Sequence, residues 1–247
     1  MRFFTAMPMN YIKNRYTSLC FYTKQEIICQ PHLFFVILRP NDIISNMNKN
    51  NRKEHLYAIA FKLFLTKRYD AVSISDIEKE SGMTRGAITY YGKDKRGLFY
   101  AVIHHYLIDS QNLDFKLHKK EFESLSDFID EYVKCSQETI TRFRQIDSSV
   151  ENGSRAYMAL ILQICDFFPD LHEQYLENRN KELLKWIEII QMAITNQEIR
   201  DNIDVITTAK MFMNVFYGQS YLDALSAGLN ISELRLQFKN IYRLIKI

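Results

Sequence analysis

The chain has 247 residues, of which 47% are hydrophobic and 25% charged, with a formal net charge of +3. That apolar share excludes a mostly disordered chain, and the length allows one large domain or two small ones. Seven Gly and four Pro leave little room for a turn-rich all-β fold, and no run approaches the roughly 18 apolar residues of a membrane-spanning helix.

The net charge conceals an uneven distribution. Residues 1–46 carry five basic and two acidic groups, residues 47–104 eleven and six, and residues 105–247 sixteen and twenty-one. A segment of net +5 followed by one of −5 points to two modules with different partners, the basic one suited to phosphate. Cys20, Cys29, Cys135 and Cys165 form no C-x-x-C pair and lack neighbouring histidines at ligand spacing, so no metal site is expected. Scattered cysteines in a chain of this length read as free thiols in a reducing compartment, and the cytoplasm is the expected location.

In chain order, residues 1–46 show no periodicity that continues beyond Met47, although Leu33–Leu38 is a six-residue apolar run. Met47 opens a polar run leading directly into a helix. Two readings stand: Met47 is the natural start, or residues 1–46 form a poorly ordered arm. Intact residues 1–46 in the native protein, read by amino-terminal sequencing, would exclude the first. From Arg52 the apolar positions Leu56, Ile59, Ala60, Leu63 and Phe64 fall at helical spacing. Ser73-Ile74-Ser75-Asp76 has the character of a capping box, with Asp in place of the preferred Glu or Gln. It opens a short second helix that Gly82 ends. Thr84 caps a third helix to about Tyr91, and Asp94 a fourth from Lys95.

The scarcity of Gly and Pro beyond Gly97 predicts long helices near 95–118, 124–147, 154–167, 170–196, 203–226 and 231–246. No stretch of this half alternates at period two. The fold class is therefore all-α: a three-helix helix-turn-helix domain followed by an α-helical bundle. The predicted segments are an extension at 1–46, a first helical domain at 51–110 and a second at 111–247.

A helix, a tight turn at Gly82 and a second helix form an arrangement whose second helix fits the major groove. Here Ile88 is its inward anchor. Arg85 reaches guanine or phosphate; Gly86 and Ala87 keep the face shallow. Thr84, Thr89, Tyr90 and Tyr91 supply hydroxyls, and Lys95 sets a cation beside free helix amides. Tyr91 packing beneath its own helix is an equal alternative. Thr84 is a cap before it is a contact, and Lys93 and Arg96 read as solvated.

Residues 58–103 closely resemble the DNA-binding domain of the TetR family of bacterial repressors. The resemblance lies in Ala60-x-x-Leu63-Phe64, Tyr69-Asp70-Ala71-x-Ser73-Ile74-x-Asp76-Ile77, Ser81-Gly82-Met83-Thr84-Arg85-Gly86-Ala87-Ile88, Tyr91, Lys95 and Leu98-Phe99. It implies a recognition unit over 73–92 and DNA contacts from Ser73, Thr84, Arg85, Gly86, Ala87, Thr89, Tyr90, Tyr91 and Lys95. The sequence departs from the family pattern at Arg68, Glu78, Thr89 and Gly92. The last stands where an aromatic plug is common, so a loosened recognition helix is expected there.

The resemblance further implies that the acidic half binds a small molecule and dimerises. Phe115, Tyr132, Tyr157 and Trp186 are the candidate pocket residues for a small apolar or amphipathic effector. A stripe over the last two helices (Ala209, Met213, Phe216, Tyr217, Ser220, Tyr221, Ala224, Leu225, then Leu234, Phe238, Ile241, Tyr242 and Ile245) is the candidate homodimer face. The functional expectation is a one-component regulator, a repressor in the family's manner, released from a palindromic operator by its effector. A helical interaction protein with weakened DNA binding is the alternative. No H-E-x-x-H, Gly-rich phosphate loop or G-x-S-x-G motif is present, so no enzymatic activity and no cofactor are expected.

Overall fold

The computed structural model describes residues 49–109, 116–118, 121–146 and 152–247, with backbone alone at 21–22, 27–28 and 143–146. The chain divides into two compact units, Met1–Ile43 and Ile44–Ile247. In the first, β1 (Phe21–Tyr22) and β2 (Ile27–Ile28) pair antiparallel with Phe21 opposite Ile28. Leu33–Leu38 and Phe115 lie outside the described residues.

Among its described residues the second unit is built of helices and their connections, with one isolated bridge between Ile199 and Lys246. α1 (Lys49–Thr66) turns Leu56, Ala60, Phe61 and Phe64 into the core at zero exposure, at the spacing of one helical face. A single 3₁₀ turn, Tyr69–Ala71, leads to α2 (Ile74–Ser81), α3 (Arg85–Gly92) and α4 (Lys95–Ile103). α4 does not continue as one long α-helix to about 118. It passes at His104 into one π-helical turn, His104–Ile108. That turn keeps Leu107 and Ile108 buried and lays Tyr106 flat on Phe61, ring centroids 4.4 Å apart.

The remaining helices are α5 (Leu125–Ile146), α6 (Gly153–Phe167), α7 (Pro169–Thr195), α8 (Val205–Ala224) and α9 (Ile231–Ile245). Pro169 opens α7, where its missing N–H costs nothing. Asn152, Asp204 and Asn230 cap α6, α8 and α9. The α5 amides of Leu125 and Ser126 are met from afar by the Glu198 carboxylate. Among the described residues no helix is long and apolar enough to cross a membrane.

Two cores result. The first joins α1–α4 to α6 and the start of α7 through Leu160, Ile161, Ile164, Phe168 and Leu171. The second is aromatic: Trp186, fully buried, stacks on Phe212 at 4.7 Å and meets Phe128 and Phe238 edge-on. The α8–α9 stripe, open in sequence to either a homodimer face or intrachain core, is largely this core. Ala209, Met213, Leu234, Phe238 and Ile241 pack around the Trp186 cluster, because the inward face of each helix is its more apolar one. The large apolar residues left exposed on α8, its C-cap and α9 are mostly others: Ile206, Met211, Leu222, Leu236 and Leu244, with Tyr221 and Leu225 from the predicted stripe.

Candidate nucleic-acid interface and effector cavity

The recognition unit is fixed by local hydrogen bonds. Ser73 Oγ accepts from the Asp76 amide at 3.1 Å, and the Asp76 carboxylate accepts from Ser73 N–H at 2.8 Å, so the capping box closes with Asp. These bonds to Ser73 hold the Asp76 carboxyl below its ordinary value. At the other end of α2, Gly82 takes φ 66 and ψ 13, the left-handed conformation that glycine adopts without a Cβ penalty. Ser81 Oγ donates to Ile77 O and accepts from the Met83 amide. His55 Nε2, on α1, donates to Ser81 O at 3.0 Å. Thr84 caps α3 by accepting from the Ala87 amide.

α3 sits on Ile88, which is 1% exposed in a core with Ile77, Met83 and Leu98. The opposite face carries Arg85, Gly86, Thr89 and Tyr90 exposed, with Ala87 half-buried. A Cβ at Gly86 meets nothing within 4 Å, so the surface there is flat and open. Tyr90 is 64% exposed. Arg85 Nε lies 3.7 Å from Glu78 Oε2. Tyr91 is half-buried and its hydroxyl donates to Lys49 O, so it ties α3 to the start of α1. Lys49 stands over the Tyr90 ring at 5.0 Å, and its hydrogen bond to Tyr90 raises the ammonium pKa.

Lys95 is placed differently from a solvated phosphate ligand. Its ammonium donates to Tyr69 O at 3.0 Å and Val72 O at 2.9 Å, and lies 4.2 Å from the Tyr69 ring. Two of its three protons thus staple α4 to the turn before α2.

The turn at Gly92 is not a gap. A Cβ there would meet Leu98 Cβ at 2.5 Å, and one at Gly97 would lie 2.1 Å from Gly92 O. Two glycines let the end of α3 and the start of α4 touch backbone to backbone, which no plugging aromatic could enter. Lys93, between them, has φ 63 and ψ −59, and the Asp94 amide donates to Gly92 O at 2.8 Å. This is a γ-turn of the strained kind.

The second site is a cavity of about 120 Å³ between α5, α6, α7 and α8, lined by Tyr132, Tyr157 and Tyr175 among others. Water needs roughly 10–15 Å³ on this scale, so there is room for a small organic molecule. Of the predicted pocket residues, Tyr132 and Tyr157 line it. Trp186 does not: its ring is closed in by Phe128, Phe212 and Phe238 and contacts no open space.

Sequence reasoning missed the polar side of this cavity. Glu182, 8% exposed, accepts from Tyr132 Oη at 2.5 Å and Tyr217 Oη at 2.6 Å. Burial, then the Glu182 charge, pushes both hydroxyls far above the ordinary tyrosine value. Lys116 and Arg179 also line the cavity. The Lys116 ammonium is enclosed, and burial lowers its pKa against the opposing pull of Glu182. The signal was present in i, i+3 spacing, which puts Arg179 and Glu182 on one face of α7. Outside the cavity, His118, Glu131 and Cys135 bring ligand-type atoms within 4.8 Å of one another. His118 Nε2 is already bonded to Glu138, and Cys135 Sγ to Lys116 O.

The cavity and the head are joined by α7. At its start, Phe168 stacks on Phe99 at 4.4 Å and Tyr100 Oη donates to Asp170. Further along, Asn178 Nδ2 donates to Ile108 O in the π turn. On α6, Gln163 accepts from the Tyr69 amide.

An anchored helix with an exposed polar face, presented by a tight turn, defines a helix-turn-helix protein with an appended helical body. Residues 56–102 match the family described as bacterial regulatory proteins, tetR family. The HTH-type transcriptional regulator AcrR of Shigella flexneri is 26% identical over 129 residues, 52% of this chain and 56% of that protein. The chain thus spans little more than half the length of this curated relative. The structure of full-length native TylP, a TetR regulator from Streptomyces fradiae, matches with a TM-score of 0.53 at 19% identity, over 81% of this chain and 89% of that one. A TetR-family regulator from Agrobacterium tumefaciens matches at 0.56 and 15%, over 80% and 99%. The reduced form of E. coli NemR matches at 0.54 and 16%, over 77% and 96%. At such identities the structural likeness is one of fold. The family likeness is carried by the amino-terminal segment, residues 56–102.

Proposed function

We propose that this protein is a one-component transcriptional regulator that binds operator DNA as a homodimer and leaves it when a small molecule fills the body cavity. The observation that carries the reading is the exposed face of α3. Arg85, Gly86, Thr89 and Tyr90 point outward from a helix whose buried side and both ends are tied down. Such a helix enters the major groove without paying to order itself. Arg85 reads a base edge; Thr84 and Tyr90 position the backbone, aided by Lys49. Ser73 and Lys95 act mainly by holding the helices that bear these groups.

Reading a palindrome takes two such helices about 34–36 Å apart, related by a two-fold axis. The exposed apolar residues of α8 and α9, with Gly218 open to close approach, fit an interface between two copies. The cavity acts through α7. Asp170 and Arg179 are nine residues apart in one helix, about 14 Å along its axis, so a shift of α7 at the cavity reaches α4. A ligand that fits the cavity better in one head spacing biases the pair towards it.

The test is duplex binding by fluorescence anisotropy with DNA from upstream of the protein's own gene, at two salt concentrations. Binding that is sequence-selective and weakens with salt is expected. Equal affinity for all duplexes, or none, contradicts the reading.

A further inference from the structure

The chemistry of the cavity's occupant can be read from its wall; this inference rests on taking the cavity as the effector site. Two residues that line it, Arg179 and Ser220, each carry a buried polar atom, Nε and Oγ, with no hydrogen-bond partner among the described residues. A guanidinium offers donors only, so Arg179 requires an acceptor. The carboxylate of the cavity, Glu182, is already engaged by Tyr132 and Tyr217. Of the charged groups lining the cavity among the described residues, Lys116 and Arg179 are cationic and Glu182 anionic, a surplus of one positive charge.

The aromatic faces are also taken. Arg179 lies over the Tyr217 ring at 4.2 Å, and Lys116 over Tyr132 at 5.7 Å and Phe216 at 5.9 Å. An aromatic cage for a cationic ligand needs those faces open. Here the protein's own cations occupy them, and a second buried cation would be repelled.

We infer that the cavity binds a small organic anion: one or two flat apolar rings bearing a single carboxylate. The carboxylate meets the Arg179 guanidinium, which matches its two oxygens in a planar fork, and accepts from Ser220 Oγ. The ring system lies among the tyrosines. The volume of about 120 Å³ has room for a ring system of this size. A ligand of this class offers both residues an acceptor and also offsets the surplus positive charge, which a neutral or cationic molecule of equal shape does not.

The experiment is calorimetric titration of the full chain, without DNA, with 2-naphthoate, its neutral isostere 2-naphthamide, and the cation 2-naphthylmethylammonium. 2-Naphthoate is expected to bind about tenfold or more tighter than either. Arg179→Met keeps an unbranched stem over Tyr217 and is expected to abolish that preference while leaving 2-naphthamide binding within about twofold. Ser220→Ala, a smaller change, is expected to weaken 2-naphthoate severalfold, and carries the test alone if a thermal melt shows Arg179→Met unfolded. Tightest binding of the cation, equal binding of acid and amide, no binding of any of the three, or an acid preference that survives in the folded variants would each overturn the inference. DNA binding is scored separately. A chain that binds 2-naphthoate but no duplex contradicts the regulator reading alone, and one that binds duplex but no acid contradicts this inference alone.

Discussion

In the proposed function sequence selectivity turns on Arg85, whose Nε lies 3.7 Å from Glu78 Oε2. The pair is exposed, and such pairs contribute about 0.2–1 kcal/mol; releasing Arg85 therefore changes DNA binding by a few-fold at most. Glu78→Ala is expected to tighten binding to every duplex within that limit, whereas Arg85→Ala costs about 1–3 kcal/mol on the preferred sequence and little on others. Anisotropy titrations of both variants check this, and weaker binding by Glu78→Ala would contradict it. Lys95 belongs to stability first. Lys95→Ala leaves two carbonyls without their charged donor and is expected to lower the unfolding free energy by about 2 kcal/mol. A variant that unfolds like the parent in urea would return Lys95 to the DNA surface.

Asp76 adds a pH signature. Its carboxyl is held below the 3.8 of an unperturbed group by Ser73, so its contribution to stability is present above that value and is lost as pH falls through the folded pKa. The melting-temperature difference between the parent and Asp76→Ala should therefore shrink as the pH is lowered from neutrality to about 3.

Among the elements, the turn joining α3 to α4 is the least tolerant. Its two glycines meet backbone to backbone, so Gly97→Ala is expected to cost about 1–3 kcal/mol by overpacking, visible as a lower urea midpoint. Parental stability would show that the turn can open. Phe168 is the corresponding point between head and body: fully buried, against Phe99, Tyr69 and Tyr100.

The sequence displayed the local devices plainly, because a cap or a helix stop acts within three or four residues. Ser73, Gly82, Thr84, Asp94 and Pro169 all act where their residue types indicate. What it hid were long-range partners. Lys95 reads as a free cation until Tyr69 and Val72 are seen beside it, and Gly92 as a missing aromatic until Leu98 is. The π turn at His104 has no marker such as Gly or Pro, since it arises from how Tyr106 meets Phe61 across two helices.

For the whole molecule, the basic and acidic segments differ in where their cations lie. The head's basic residues include Lys49 and Arg85 at the α3 surface, whereas two cations of the body are turned inward on the cavity. The body's aromatic residues could not be sorted into wall and core from spacing, because the wall passes directly into the core: Tyr132 lines the cavity and packs on Trp186 at 5.3 Å. Hence Tyr132 and Tyr157 line the cavity while Trp186 is core. The same ambiguity put the predicted stripe of α8 and α9 on residues that are largely buried in the core. Leu222→Glu combined with Leu244→Glu is expected to yield a folded monomer by sedimentation, with loss of operator affinity; an undisturbed dimer would place the interface elsewhere.

The central claim is that α3 reads DNA sequence from a two-fold assembly. Repeated selection of duplexes bound by the full chain from a random pool tests it most directly. The expected result is an enriched inverted repeat whose half-sites lie about one helical turn, or a whole multiple, apart. A pool that emerges without sequence bias would contradict it.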